Sequence, residues 1–465
     1  MERFLRKALA VVACVGLVGS ASAAGFAIIE QTTRSMGRAL GGVTADTRDI
    51  NALYFNPSIP GWFDKDEVSV GIHFLKIQIN YSDKGSTSTL GSEEGNDIGG
   101  WSNIPNIVYV HPLADDLSVG FSLSGTSGTK TDYNNYWVGR YTATLTDIAV
   151  MDFNPVIAWR PISNLSIGVG LAVEYAMIEQ EQRLDFREYN AMSGALSAIP
   201  SWDGPSHVSD GKIKMEGDSV AVGFTAGISY KPTEKTTLGM GFRSRMRHHV
   251  KDMKVRSQRT KEMKEFLGAH YPLNPAYTMM QVGGLTDFRT SGKADTYLHL
   301  PASLSIGILH ELTDAWRVGL DIAWSEQHVM EDLRAEFHDP MYGTVTSQRL
   351  MMCWEDNWRV ALGTEYDVTE KLTVRTGFAW DQTPVQDEYR TTKMPDSDRY
   401  WIAFGLGYQF TEHLRADFAW THIFYQSNST HQVSGTNGIT GEVETIHGKY
   451  GAHSDTFSLA LNYCF

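Results

Sequence analysis

Cysteine is nearly absent, with 3 in 465 residues. Cys14 sits inside an apolar N-terminal run. The remaining pair, Cys353 and Cys464, is too sparse for a disulfide framework and supplies no zinc site. Proline is also scarce, at 15 residues, and no Pro/Gly/Ser-rich linker interrupts the chain. The length would hold two or three ordinary soluble domains, so the lack of linkers favours one large unit. Positive charge is in deficit: a formal net charge of −14 argues against nucleic acid or an anionic surface as partner. The densest basic run, Arg256 to Phe266, includes two glutamates and reads as a short solvated helix. Long apolar runs are missing after the N-terminus, so no segment offers the ~18 residues a membrane helix needs. The mean hydropathy of −0.26 looks soluble. A strand with one lipid face and one wet face averages to the same value, however.

At the N-terminus, Arg3, Arg6 and Lys7 precede an apolar stretch from Ala8 to Val18 and then small residues. This is the pattern of a secretory signal peptide. Ala21-Ser22-Ala23 fits the cleavage rule, which assigns residues 1–23 to the signal and starts the mature chain at Ala24.

Beyond it, period-two alternation recurs with one rhythm. "LSVGFSL" from Leu117, "LSIGVGLAVEY" from Leu165, "VAVGFTAGISY" from Val220, "WRVGLDIAW" from Trp316 and "YWIAFGLGYQF" from Tyr400 each place an apolar residue at every second position. Counting the weaker segments predicts fourteen strands. Short turns fall at Pro112–Asp116, Pro161–Asn164, Pro232–Lys235, Leu312–Ala315, Val368–Lys371 and Phe410–His413. Long polar loops separate them, the largest near residues 182–211 and 251–292. Short and long connections in strict alternation fit an antiparallel up-and-down barrel. Sandwiches and propellers also repeat strands, but with shorter strands and less regular connections. Aromatics at strand ends, such as Trp316, Trp324, Trp358, Tyr366, Trp380, Tyr400 and Phe410, suit the interfacial girdles of a transmembrane barrel. Both termini then lie on the short-turn, periplasmic side. The chain ends "DTFSLALNYCF": Phe457, Leu459, Leu461, Tyr463 and Phe465 alternate with Ser458, Asn462 and Cys464, as expected of a closing strand.

The opposite parity directs Arg317, Asp321, Arg359, Arg375, Arg415 and Asp417 into the lumen, where a mixed-sign ladder would brace the wall. No Ser/His/Asp arrangement coheres on one strand end, so nothing points to an enzyme. Nothing indicates a metal, cofactor or nucleotide, and His248-His249 reads as loop-edge polarity. Residues 24–65 precede the first strand and are rich in small residues, with Gly37, Gly41 and Gly42 suited to short helices in tight quarters. A segment of this size beside a fourteen-stranded pore can fold back as a hatch that plugs it, leaving residues 66–465 as the barrel.

"AGFAIIEQ" at the mature N-terminus, "YFNPS" at Tyr54, "DFNPVIAWRP" at Asp152, "LHLPASLSIGI" at Leu298, "WDQTPV" at Trp380 and "MPDSDRYWIAFGLGY" at Met394 occur in one order. On these motifs the chain resembles the FadL family of outer-membrane long-chain fatty acid transporters, which includes a branch handling toluene-like hydrocarbons. The resemblance implies an all-β, 14-stranded antiparallel transmembrane barrel closed by an N-terminal hatch. It implies passive uptake of a hydrophobic solute, caught among extracellular loops, passed to a tighter site near the hatch and released sideways beside a kinked third strand. Apolar burial worth ~25 cal/mol per Å² would replace the lipopolysaccharide barrier. Carried over residue by residue, Phe26 falls near the deep site, and Asn56, Pro57 and Ser58 match the hatch "NPA" motif with serine in place of alanine. Gly125 and Gly128 fall where strand three would kink, although a glycine there equally suits a plain bulge. Arg183 and Arg349 lie near the family's basic groups for a carboxylate; Arg349 has inward parity, and Arg183 does not unless a bulge shifts it. Phe465 resembles the terminal signal read by the barrel assembly machinery. Expected partners are hydrophobic small molecules, outer-membrane lipid with lipopolysaccharide, and that machinery, with no nucleic acid. Neutral or aromatic hydrocarbons form the alternative cargo, and a structural or adhesive barrel or an open porin the second alternative.

Overall fold

The computed structural model describes residues 27–87, 95–185, 210–259, 291–341, 345–436 and 443–465, together with Gly25, Lys261 and Glu265. Alternating apolar residues give each strand one dry outer face, and the strands close into a fourteen-stranded antiparallel barrel. In chain order these are β1 (Glu67–Asp83), β2 (Gly100–Ala114), β3 (Leu117–Asp132), β4 (Leu145–Ile162), β5 (Leu165–Asp185) and β6 (Asp210–Thr233). Then come β7 (Thr236–Arg243, resuming Met246–Arg259), β8 (Ser291–Leu300, resuming Ser303–Glu311), β9 (Trp316–Ser325, resuming Asp332–Met341) and β10 (Val345–Met351, resuming Asn357–Asp367). The last four are β11 (Leu372–Asp381), β12 (Arg399–Gln409), β13 (Leu414–Tyr425, resuming Asn428–Thr436) and β14 (Val443–Cys464). All six short turns fall where the sequence places them.

Closure joins the two ends of the barrel. β14 pairs with β1 from Glu67↔Cys464 to Asp83↔Gly448, and the Phe465 amide donates to Asp66 O at 2.9 Å. Phe457, Leu459, Leu461, Tyr463 and Phe465 are exposed, while Ser458 is buried and Asn462 donates to Asp417 Oδ2 at 3.0 Å. Ladder partners Phe242, Leu304, Trp324 and Trp358 form one aromatic-rich level. Trp380, Tyr400 and Phe424 continue it around the barrel. The pair Trp316↔Tyr366 marks the other level. From Trp316 to Trp324 is about 26 Å of strand at ~3.3 Å per residue, a length matched to a bilayer's apolar band. No helix among the described residues is long and apolar enough to cross a membrane; the strands do so.

Four neighbouring strands, β7 to β10, break just past the Phe242–Trp358 level and then resume. The wall therefore continues beyond the membrane as a cylinder that can enclose a cavity. Arg256–Arg259 belong to the resumed part of β7, while Lys261 and Glu265, farther along the run expected to be a helix, are helical and pair at 3.5 Å. The largest loops fall mainly outside the described residues, as do residues 1–23.

Residues 27–66 fill the lumen at the end where the chain begins and ends. They carry one short helix, α1 (Thr33–Met36), and 3₁₀ turns at Val43–Ala45, Ile50–Tyr54 and Ile59–Trp62. Inward-facing glycines of the wall let the two backbones touch. A Cβ on Gly41 would lie 2.2 Å from Gly363 N, and one on Gly168 would lie 2.0 Å from Pro57 O.

Charge fastens the same contact. The Glu365 carboxylate on β10 meets hatch Arg34 at 2.9 Å and Arg48 at 2.8 Å, and wall Arg317 and Arg375 at 3.1 Å each. Arg375 also reaches Asp417 at 2.8 Å, which pairs with Arg415 at 3.0 Å. The lumenal ladder of the sequence reading thus exists, and its central carboxylate is shared with the hatch.

Candidate functional site

At the end opposite the termini, inward side chains of β4 to β10 enclose a cavity of about 220 Å³. Its wall combines Ile148, Ile178, Met215, Met253 and Leu333 with Gln180, Gln182, Gln348 and Lys393. Strand alternation supplies the apolar members, and the loop between β11 and β12 supplies Lys393. That side chain is 6% exposed, and its Nζ donates to Gln180 Oε1 at 3.2 Å. Burial pushes the Lys393 ammonium down to about 8, because a charge removed from water favours its neutral form.

Below the cavity runs a thioether-rich column that includes Met215, Met246, Met253, Met330, Met352 and Met394, continuous with Trp354. Trp354 lies against Gly25, where a Cβ would come within 2.7 Å of the indole. Unbranched methionines yield to differently shaped apolar groups. These adaptable side chains therefore connect the cavity's lining with the hatch N-terminus in one apolar cluster.

The Gly25 amide donates to Asp396 Oδ2 at 3.1 Å, and Asp396 belongs to the same β11–β12 loop as Lys393. A second cavity, about 110 Å³, is lined by Ala27, Ile29, Tyr54, Phe55, Arg243 and Arg359 among others. Beside this segment Glu30 is 1% exposed; burial pushes its carboxyl up to about 7.

The wall itself opens next to the hatch N-terminus. The β2–β3 ladder runs from Ala114↔Leu117 only to Asn106↔Ser124. At Gly125 the β3–β4 register slips by one residue, and pairing resumes at Ser127. The hatch edge occupies the vacated side of β3. Ala27 bridges Ser127, the Ile28 amide donates to Thr126 O at 2.9 Å, and Gln31 Nε2 donates to Gly125 O at 2.5 Å. Gly125 thus stands at the slip, while Gly128 pairs regularly with Ala149 beyond it.

Asn56, Pro57 and Ser58 pin the hatch to β5 and β6. Asn56 Nδ2 donates to Thr44 O at 2.9 Å and Ile228 O at 3.0 Å, and its Oδ1 accepts from Ser58 N at 3.1 Å. The Ser58 hydroxyl, absent from the alanine version of the motif, bonds Asn56 Oδ1 at 2.7 Å and Ser229 Oγ at 2.8 Å. Phe26 lies outside the described residues.

The two arginines expected at the carboxylate site are placed differently. The β5–β6 ladder is unshifted through Arg183↔Lys212, so Arg183 shares the outer face with Lys212 while Gln180 and Gln182 face the cavity. Arg349 is among the residues that line the cavity, although it pairs in register with Arg334 on the outer face. Its side chain is half exposed, and its guanidinium bonds the Asp332 carboxylate. The inward parity expected of Arg349 fails because the break in β10 at Met352–Asp356 resets the alternation above the membrane. His248 also differs from the sequence reading. It is buried in the wall, where its ring nitrogens meet Glu174 at 3.1 Å and Ser219 at 3.0 Å.

Lys393 escaped the sequence reading because it stands alone in a loop, one residue before the matched segment that starts at Met394. A lysine beside "MPDSD" between two barrel strands was the one available signal. Among the described residues no cluster of three or more His, Cys, Asp or Glu is arranged to hold a metal.

Comparison with known proteins places this architecture. A 47 kDa outer membrane protein of Pasteurella multocida (strain Pm70) is 29% identical over 471 residues, covering 100% of this chain and 98% of the relative. A long-chain fatty acid transport protein of Salmonella typhi is 25% identical over 439 residues, covering 91% and 92%. The crystal structure of a Pseudomonas aeruginosa FadL homologue superposes with a TM-score of 0.77 at 24% identity, covering 95% of this chain and 99% of that one. The toluene transporter TodX of P. putida has the same fold, with a TM-score of 0.60 at 16% identity over 90% and 94% of the two chains. The model of the outer membrane protein transport protein family (OMPP1/FadL/TodX) matches residues 14–465. The chain therefore belongs to the OMPP1/FadL/TodX family of outer-membrane transport channels for hydrophobic compounds, and it is not an enzyme.

Proposed function

We propose that this channel takes up long-chain fatty acids passively, with both termini in the periplasm and the 220 Å³ cavity facing outward. The observation that carries this reading is the Lys393 ammonium, buried against a cavity of mixed apolar and amide lining with an amide oxygen as its hydrogen-bond partner. An ammonium kept out of water without a carboxylate costs several kcal/mol. A ligand that brings its own carboxylate and an apolar chain relieves that cost and gains a charge-assisted hydrogen bond. A neutral hydrocarbon would do neither.

From the cavity the chain would move into the methionine column and reach Gly25. The β11–β12 loop links the two events, since Lys393 would hold the ligand and Asp396 holds the Gly25 amide. Withdrawal of residues 27–31 from β3 would then uncover the gap beside β2, giving a sideways exit that needs no water-filled pore. Outer-membrane lipid and lipopolysaccharide would surround the apolar belt. The assembly machinery would read the strand that ends at Phe465.

Titration of the purified protein with oleate, methyl oleate and toluene tests the cargo. Oleate should bind most tightly and lose its advantage in Lys393→Met. Toluene binding as tight as oleate would instead assign the channel to neutral hydrocarbons. A steady large conductance in a planar bilayer would remove the plugged reading altogether.

A further inference from the structure

Immediately beyond the Phe242–Trp358 aromatic level, the outer face of β7 changes character. Its outward positions are Arg245, Arg247, His249 and Lys251, followed, after a register shift at Asp252, by Lys254 and Arg256. The residues between them, Met246, His248, Val250, Met253 and Val255, are buried on the inner face. Alternation thus disperses a basic stripe along the sequence, and the net charge of −14 conceals it.

Among the described residues its counter-ions are few: His249 faces Asp295 at 3.6 Å, and the carboxylate of Asp252 is taken by Lys293 of the neighbouring strand at 2.9 Å. Arg245 has a close partner in Glu326, at 2.6 Å. Lys254 and Arg256 share the single carboxylate of Glu216, at 3.9 and 3.8 Å. Arg247 rests over the Tyr297 ring at 4.5 Å, and Lys251 is exposed. Among the described residues neither has a carboxylate within ion-pair distance. Like charges lined up on one strand repel one another, so the stripe is unfavourable unless an anionic layer lies beside it. On the opposite side of the barrel the outward Lys76 is instead matched by Asp97 at 2.7 Å.

In the orientation proposed above, on which this inference rests, the stripe starts at the headgroup level of the outer leaflet, where Arg247 and Lys251 stand, and Lys254 and Arg256 carry it on into the layer of core sugars and their phosphates. We infer that the outer face of β7 is a binding surface for lipopolysaccharide, with the phosphates of its lipid anchor held by Arg247 and Lys251, those of its core sugars by Lys254 and Arg256, and its acyl chains lying on the apolar wall below. Arginine and lysine both pair with phosphate. The neighbouring Tyr297, with the His249 ring stacked on it at 4.2 Å, suits the boundary between acyl chain and sugar.

The test measures binding of bisphosphorylated lipid A and of the same lipid with its phosphates removed to the delipidated full-length protein in detergent. The wild type should prefer the phosphorylated lipid at least tenfold. The Arg247→Ala/Lys251→Ala/Lys254→Ala/Arg256→Ala variant should lose that preference while still binding oleate. Equal binding of the two lipids by the wild type overturns the inference without reliance on any variant, and so does an unaltered preference in a folded quadruple variant. Orientation is checked separately by an impermeant maleimide on intact cells carrying Lys84→Cys, an exposed position just past β1 at the same end of the barrel but away from the stripe, in a Cys353→Ser/Cys464→Ser background. An unlabelled cysteine overturns both the orientation and the surface. A labelled cysteine without lipid preference overturns the surface alone.

Discussion

Replacing Lys393 by methionine removes the ammonium, keeps an unbranched side chain of similar length and frees Gln180 Oε1, which already faces the cavity. A hydrogen bond to a charged group is worth about 1.5–3 kcal/mol. At ~1.4 kcal/mol per decade, oleate should bind roughly 10- to 150-fold more weakly to Lys393→Met. Methyl oleate, which has the same chain without the charge, should bind the two proteins alike. The empty variant should melt no lower than the wild type, because the substitution also removes the cost of burying an ammonium. The same group sets a pH dependence. Burial depresses the Lys393 ammonium to about 8, so the empty folded protein binds fewer protons than the unfolded chain from there up to the ordinary lysine value. Stability from this group therefore rises with pH across that window. Oleate acts in the opposite direction. A bound carboxylate favours the charged form, so above pH ~8 each binding event takes up a proton, and affinity should fall by up to about tenfold per unit. Isothermal titration at pH 7, 8 and 9 reads both effects. Undiminished oleate affinity in Lys393→Met, or an equal loss for methyl oleate, would refute a carboxylate at Lys393.

Glu30 gives a second pH dependence of opposite sign. With its carboxyl raised by burial from 4.5 to about 7, the docked hatch edge binds more protons than the undocked one, so docking should weaken by up to about 3 kcal/mol as pH rises through that window. Protection of residues 27–31 against hydrogen exchange, taken relative to the intrinsic rate at each pH, should fall accordingly in the wild type and stay level in Glu30→Gln; level protection in the wild type would exclude Glu30 as the cause. Asn56→Ala forfeits four hydrogen bonds and strands Ser58 and Thr44 O, costing about 2–4 kcal/mol of hatch docking; frequent current bursts in a planar bilayer are expected, and a silent variant contradicts the pinning role. Glu365→Ala leaves several buried arginines without their shared carboxylate, a loss of about 3–5 kcal/mol that should appear as an earlier thermal transition; an unchanged transition would mean the network contributes little. Deletion of Phe465 should lower the yield of heat-modifiable, folded barrel before it alters cargo binding, and normal insertion with lost uptake would count against an assembly role.

The strands were legible because period-two alternation survives any loop length. "WRVGLDIAW" in β9 and "LSIGVGLAVEY" in β5 announce one face for lipid and one for the lumen. The site was less legible for the same reason. Parity can be carried along a strand only while the ladder is unbroken, and the interruptions in β7 to β10 reset it above the membrane. Arg349 therefore lies on the outer face against its expected parity, and Arg183, on an unshifted ladder, keeps the outward parity its position gives it. Lys393 and Asp396 belong to a loop, where no periodicity reports direction. The basic stripe of β7 was hidden by the alternation that revealed the strands, since every second residue is an inward apolar one.

Local chemistry alone thus determined the signal pattern, the strand count, the short turns and the dry outer face, because each depends on neighbours within a few residues. Tertiary structure decided what lies inside. Gly41 and Gly363 are ordinary glycines in the sequence until the hatch and wall backbones meet there, at a separation that leaves no room for a Cβ. Glu365 becomes a hub only when β9, β11 and the hatch bring arginines to it from distant parts of the chain. Lys393 becomes a candidate receptor for a carboxylate only when the barrel closes around it, shields it from bulk water and leaves its charge facing a cavity without a carboxylate among the described residues of its lining.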